Sequence, residues 1–336
     1  MKKLLAIFLL CLLLTACHPY EQQPDTPAGN LEALWKIIDE KYCYLDQKGV
    51  DWESTRGVYL ARVTPDMTSR ELFDLCSEML DLLRDGHVNL SSPFATSFYR
   101  RWWSDYPQDF NLRCLQESYL EFDYVTLKSM IYKRMPGDVG YIHISSFASP
   151  IGENDLDWIL YYFKDCRALV IDIRDNGGGL LTNVERIVGR LITSDLLAGY
   201  IRHKTGPGHD DFSEPYPVVY KPAEKGRVMW DKPVVLVTNR SCFSAANDFT
   251  SVMRCLPQTI QVGARTGGGA GLPFSATLPN GWSIRFSACP MTDPQGNDIE
   301  DGIDPTPGYE AHSPDDELAA GKDAILDLAL SVARSL

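Results

Sequence analysis

Short apolar runs separated by loop and helix patterns constrain this chain most. Residues 168–173 (ALVIDI) and 234–237 (VVLV) are predominantly apolar and rich in β-branched side chains. Such runs read as strands buried on both faces, the condition of strands inside a parallel layered sheet. The first is followed by DNGGG (175–179) and a helical pattern from 180 to about 192. The second is followed by the turn residues NRS (239–241), a helical composition over 245–255, and a third strand over 259–262. Strand, glycine loop, helix, strand, serine-bearing turn, helix, strand is a βαβ alternation, which predicts an α/β core.

Outside that alternation, residues 125–135 and 139–147 pattern as paired strands turning at Pro136-Gly137. Residues 155–163 carry a helical apolar face, 274–278 and 282–286 form a hairpin closed by Pro-Asn-Gly, and 323–336 read as an amphipathic helix. Near the N-terminus, Leu31, Leu34, Trp35 and Ile38 line one helical face behind an Asn30 cap. A second helix opens at Thr68 with a Thr68/Glu71 capping box and ends at Arg84-Asp85-Gly86, where glycine suits a left-handed cap. The expected organisation is a helical N-terminal subdomain (30–97), an aromatic-rich connecting region (98–136) and a core (137–336). The aromatic side chains around Trp102, Trp103, Tyr106 and Phe110 read as packing against the core, with the lining of a substrate groove as the alternative.

Residues 1–16 have the build of a leader. Lys2 and Lys3 precede an apolar stretch over 4–14 that is too short to span a membrane stably. Leu14-Thr15-Ala16-Cys17 matches the lipobox of bacterial lipoproteins, so Cys17 is expected to carry lipid and 17–29 to act as a tether. That places the chain in a bacterial cell envelope, lipid-anchored at the outer membrane on its periplasmic or surface face. The formal net charge of −13 over 336 residues argues against nucleic acid as a partner. The 9 cysteines include no CxxC pair, so a zinc site is not expected; separately, no other metal and no organic cofactor is expected.

Ser244 lies where a buried strand meets a helix N-terminus, a place with unpaired N–H groups able to receive an oxyanion. Its plain alternative is a helix cap. A nucleophilic serine needs a base, normally histidine or unprotonated lysine. No lysine occurs between Lys232 and Lys322, which leaves histidine for the core. His143 sits inside a strand pattern and reads as structural, whereas His87 follows a helix cap, where a ring can be aimed into a cleft. The 175–179 loop allows close backbone approach and supplies half an oxyanion hole at Gly178, the other half being Ala245.

The motifs together resemble the C-terminal processing, or tail-specific, serine peptidases, in their tricorn-core and retinoid-binding-protein branch. DIRDNGGG (172–179) resembles the family's DLRxNxGG block, and NRSCFSAAND (239–248) its nucleophile block. GARTGGG (263–269) resembles GxxTxGKG, DIEDGIDP (298–305) resembles the C-terminal block, and DGHVNL resembles the histidine block of the lysine-free branch. The resemblance implies a crotonase- or ClpP-like layered core and serine peptidase activity on peptide or protein substrates. It assigns Ser244 as nucleophile, His87 as base and Glu300 as orienting carboxylate, with Asp301 and Asp304 competing for that last role. Gly269 occupies the lysine slot, Gly86 that of an auxiliary serine, and Asn247 that of a glutamate. Only 48 residues separate Leu90 from Val139, too few for an inserted PDZ module. A non-catalytic peptide- or lipid-binding protein of the same fold is the alternative.

Overall fold

The computed structural model describes residues 23–336; the leader, Cys17 and the tether up to residue 22 lie outside them. The first helix, α1 (Pro27–Lys41), starts earlier than the apolar face suggests. Thr26 is its cap, accepting the Gly29 N–H, and Pro27 supplies a preset φ at the first turn. Asn30 is buried and donates to Asp25 Oδ1 and the Thr26 carbonyl. Helix α2 (Trp52–Leu60) follows and was not signalled by periodicity, because its sequence WESTRGVYL carries no apolar stripe. Helix α3 (Ser69–Asp81) has the expected capping box, with Thr68 and Glu71 exchanging hydrogen bonds.

After α3 the left-handed residue is Arg84 (φ 49°), not Gly86. The chain then enters strand β1 (Asn89–Ser91). The three helices share a core with a distant hairpin: Leu34, Leu75 and Met79 cluster with Trp282, Ile284 and Phe286. Fully burying each such side chain stabilises the fold by about 1.5–3 kcal/mol.

The central sheet has six strands in the order β2 (Val125–Leu127), β3 (Met130–Met135), β4 (Val139–Ile144), β5 (Ala168–Asp172), β8 (Val234–Thr238) and β9 (Thr259–Gly263). The segment expected as one strand over 125–135 is two, folded at Lys128 (φ 55°). From β4 to β9 the pairing is parallel. Alternate strand residues serve opposite faces, so both faces are apolar. Leu169, Ile171, Val234 and Leu236 pack under helices α4 (Glu153–Tyr162), α5 (Leu181–Gly189) and α6 (Ala245–Arg254). Val170, Val235 and Val237 pack against α7 (Ala324–Ser335) through Ile325, Leu326 and Ala329.

Two small sheets flank this core. Strands β6 (Leu196–Ile201) and β7 (Tyr216–Tyr220) form one with β12 (Met291–Thr292). The predicted hairpin is β10 (Leu272–Thr277) and β11 (Ser283–Cys289), and β1 pairs with β11. That pairing brings the end of the helical part to the carboxyl end of the central strands.

Candidate active site

Strand β8 delivers the chain into a turn over 239–244 that is pinned on two sides. The Asp175 N–H donates to Asn239 Oδ1, the Phe243 N–H to the Asn176 carbonyl at 3.1 Å, and the Ser244 N–H to the Gly268 carbonyl at 2.9 Å. Ser244 is held at φ 58° and ψ −123°, a region that costs a non-glycine residue about 1–3 kcal/mol and persists only where the surroundings enforce it. Its side chain makes no capping bond to α6, so the plain reading of this serine as a helix cap fails.

Ser244 Oγ instead lies 3.0 Å from His87 Nε2. His87 is seated by Asp85, whose Oδ1 accepts the His87 backbone N–H at 2.7 Å. Asp85 Oδ2 accepts from the Tyr42 and Ser287 hydroxyls, both at 2.9 Å. The imidazole packs against Phe243 with ring centroids 4.7 Å apart. Burial holds its pKa down, to about 4; Asp85 pulls it back up, while Arg285 and Lys48 press it further down. The ring is therefore neutral at pH 7 and free to accept a proton.

The carboxylate expected to orient this ring does something else. Glu300 Oε1 is 2.9 Å from Lys48 Nζ and Oε2 accepts the Ala270 N–H at 2.8 Å, so Glu300 makes no bond to His87. Its competitors do not reach the ring either: Asp301 is exposed and Asp304 pairs with Arg265 at 3.0 Å. His87 Nδ1 is buried with no well-formed hydrogen bond to any described residue; its charged form is favoured by Asp85 and, more weakly, by the Gly271 backbone. Lys48 also stands 3.9 Å from Asp85, making a buried cluster of two carboxylates and one ammonium beneath the imidazole. Burial and repulsion from Asp85 push Glu300 up to about 8.

The oxyanion arrangement needs a similar correction. Gly178 (φ 93°) comes so close to Ser244 that a Cβ there would stand 2.8 Å from both Ser244 Cβ and the Ala245 nitrogen. Its N–H, however, donates to Asn176 Oδ1 at 2.9 Å. Among the described residues the Ala245 N–H, first in α6, meets no hydrogen-bond acceptor. A ready donor at a helix N-terminus is thus beside Oγ, and a second is occupied by a neighbouring carboxamide.

The unusual glycines have a steric cause. The Phe243 ring stacks on Trp102, centroids 4.2 Å apart. A Cβ on Gly269 would lie 2.4 Å from the Phe243 ring, and one on Gly86 would lie 2.6 Å from Trp102 Nε1. The aromatic pair fills the space that a side chain at either glycine would need. Asn247 is also explained: its buried amide donates to the Ile299 carbonyl at 3.0 Å and accepts from Thr266 Oγ1 at 2.6 Å, tying α6 to the Glu300 segment.

Ser244 and His87 open onto a groove of about 590 Å³ walled by Phe98, Tyr99, Trp102 and Trp103. Trp102 and Trp103 thus follow the groove-lining alternative, whereas Phe110 packs, stacking on buried His143, whose Nε2 bonds the Arg174 carbonyl. Asp85, Lys48 and Asn176 went unnoticed in the sequence. The D-G-H spacing and the Asn two residues before Gly178 were available signals; Lys48 had none.

A neutral imidazole on a serine hydroxyl, at a strained strand-to-helix turn beside a free amide, is the arrangement of serine hydrolases. The comparisons narrow that class. The model of peptidase family S41 matches residues 138–307, and that of the tricorn protease C1 domain matches residues 23–81. A candidate peptidase of known crystal structure from Parabacteroides merdae is 43% identical, with a TM-score of 0.86 over 92% of this chain and 97% of its own. Mature CPAF shares the fold, with a TM-score of 0.68 at 12% identity over 92% of this chain and 96% of that one. The carboxy-terminal processing protease CtpB of Bacillus subtilis (strain 168) is 28% identical over 177 residues, 52% of this chain. The match spans only 35% of CtpB's length. The chain belongs to peptidase family S41.

Proposed function

We propose that this protein is a serine peptidase hydrolysing peptide bonds in peptide or protein substrates. The observation that carries the reading is the 3.0 Å contact between His87 Nε2 and an uncapped, strained Ser244. Ser244 Oγ attacks the scissile carbonyl while His87 takes its proton, then returns it to the leaving amine. The Ala245 N–H carries the developing oxyanion, joined by the Gly178 N–H once Asn176 releases it. The imidazolium that forms is stabilised by the buried Asp85 carboxylate, against the opposing charge of Lys48.

The finer architecture is part of the same reading: a crotonase- or ClpP-like layered core, without a PDZ module. The described segment between β1 and β2 holds only short helical turns, which supports it. Attachment to a bacterial envelope through lipid at Cys17 rests on the LTAC sequence; loss of labelled-palmitate incorporation on Cys17→Ala is its test.

A fluorophosphonate probe and a fluorogenic peptide library test the peptidase reading together. Labelling of the native protein but not of Ser244→Ala, with hydrolysis falling by at least about 10³-fold in that variant, is the expected result. A protein that neither labels nor cleaves, yet binds peptide or lipid, belongs to the non-catalytic alternative.

A further inference from the structure

The groove contains a cation that the catalytic chemistry does not use. Arg285 lies on β11, its Cα paired across the strands with Asn89 and Ser275, and it lines the groove beside His87 and Ser244. It is half-buried, and its one side-chain hydrogen bond among the described residues is a long one, 3.4 Å to Asn89 Oδ1. No carboxylate pairs with it among the described residues. The fully buried guanidinia are treated differently: Arg174 bonds both Asp172 and Asp323, and Arg190 reaches Glu153 and Asp157, whereas half-buried Arg240 is satisfied by the Trp102 and Thr266 carbonyls. Leaving a partly buried guanidinium without a counter-charge is costly, and a chain of net charge −13 does not lack carboxylates to supply one. Burial lowers the pKa of Arg285, and Asp85, which makes no ion pair with it, only partly offsets this. A second guanidinium, Arg100, lines the same groove over the Phe98 ring and has no ion-pair partner among the described residues.

We propose that Arg285, assisted by Arg100, receives a substrate carboxylate, so that the protein selects peptides bearing a negative charge close to the scissile bond. The inference deepens the peptidase reading and rests on it. An arginine fork suits a carboxylate because two parallel N–H donors meet its two oxygens, and a groove walled by aromatics strengthens the attraction by excluding water. The carboxylate has two sources, the C-terminus of the peptide or an Asp or Glu side chain. Both present the same group to Arg285.

The test uses matched peptides in four forms: free C-terminal acid against carboxamide, and internal Asp or Glu against Asn or Gln. Fluorescence anisotropy measures their binding to the Ser244→Ala protein, which separates recognition from turnover. One acid–neutral pair should differ about ten- to hundredfold in Kd, and the pair that does identifies the source. Adding Arg285→Gln should bring that ratio to near one, while Arg285→Lys, which keeps the charge, should retain part of it. Equal binding of all four forms, or a ratio unchanged in Arg285→Gln, overturns the proposal. Binding that follows this pattern while the native protein cleaves nothing would sustain carboxylate recognition and remove the peptidase reading instead.

Discussion

Lys48 holds Glu300 at 2.9 Å, and this pairing keeps the carboxylate off His87. The two side chains are separated by 252 positions, and Asp85 stands 3.9 Å from the same ammonium. The electrostatics of the base are thus set from below by a cluster rather than by one orienting partner.

The base should therefore work in unusually acidic solution. With His87 near pKa 4, the acid limb of kcat/KM lies well under the 6.5 of an ordinary histidine. Lys48→Met removes a charge that presses the imidazole pKa down, so the limb should move toward higher pH. The same change strands the ionised, buried Asp85 carboxylate and should lower stability by about 3–5 kcal/mol. A pH–rate profile with an unshifted limb in the variant would show that Lys48 is not coupled to His87.

Glu300 imposes a pH dependence of opposite sense on folding. Its folded pKa, about 8, exceeds the ordinary 4.5, so its contribution is complete below pH 4.5 and is lost as pH rises through 8. Relative to native protein, Glu300→Gln should gain stability progressively across that window. Urea denaturation at pH 5 and pH 8 measures it; a constant gap between the two proteins refutes the shift.

Gly86 is kept bare by Trp102. Gly86→Ala should impair hydrolysis in the native background and do so less in Trp102→Ala, where the opposing indole is gone. A double-mutant cycle should show about 0.5–3 kcal/mol of coupling in kcat/KM. Additive effects would mean that the glycine serves some purpose other than clearance.

Arg174, fully buried between Asp172 and Asp323, fixes the end of β5 just before the glycine loop. Arg174→Met should cost about 3–5 kcal/mol by leaving two carboxylates without their cation. Thermal unfolding should report a lower Tm, with disproportionate loss of activity as the loop loosens.

Much of the core could be read from local pattern. The β5 and β8 runs, the helices after them and the Ser244 turn are each specified within about twenty residues, and so were legible. His87 stood out because a capped helix and a turn precede it. Glu300 was placed in the right neighbourhood with the wrong contact, because a buried carboxylate's partner is chosen by tertiary neighbours, and Lys48 approaches from the far end of the chain. Gly178 was read as a free donor because the Asn176 side chain, two residues earlier, was not counted as a local acceptor. Trp102 gave no periodic signal at all, lying in a short helical turn whose position depends on Phe243.

The β1–β11 pairing has a consequence for biosynthesis. His87 leaves the ribosome early, but the strand that seats its segment against the core extends to Cys289 and must be translated first. Until then the hydroxyl of Ser244 has no base within reach. The contact between His87 and Ser244 is therefore a late product of folding, formed only once the C-terminal strands have been made.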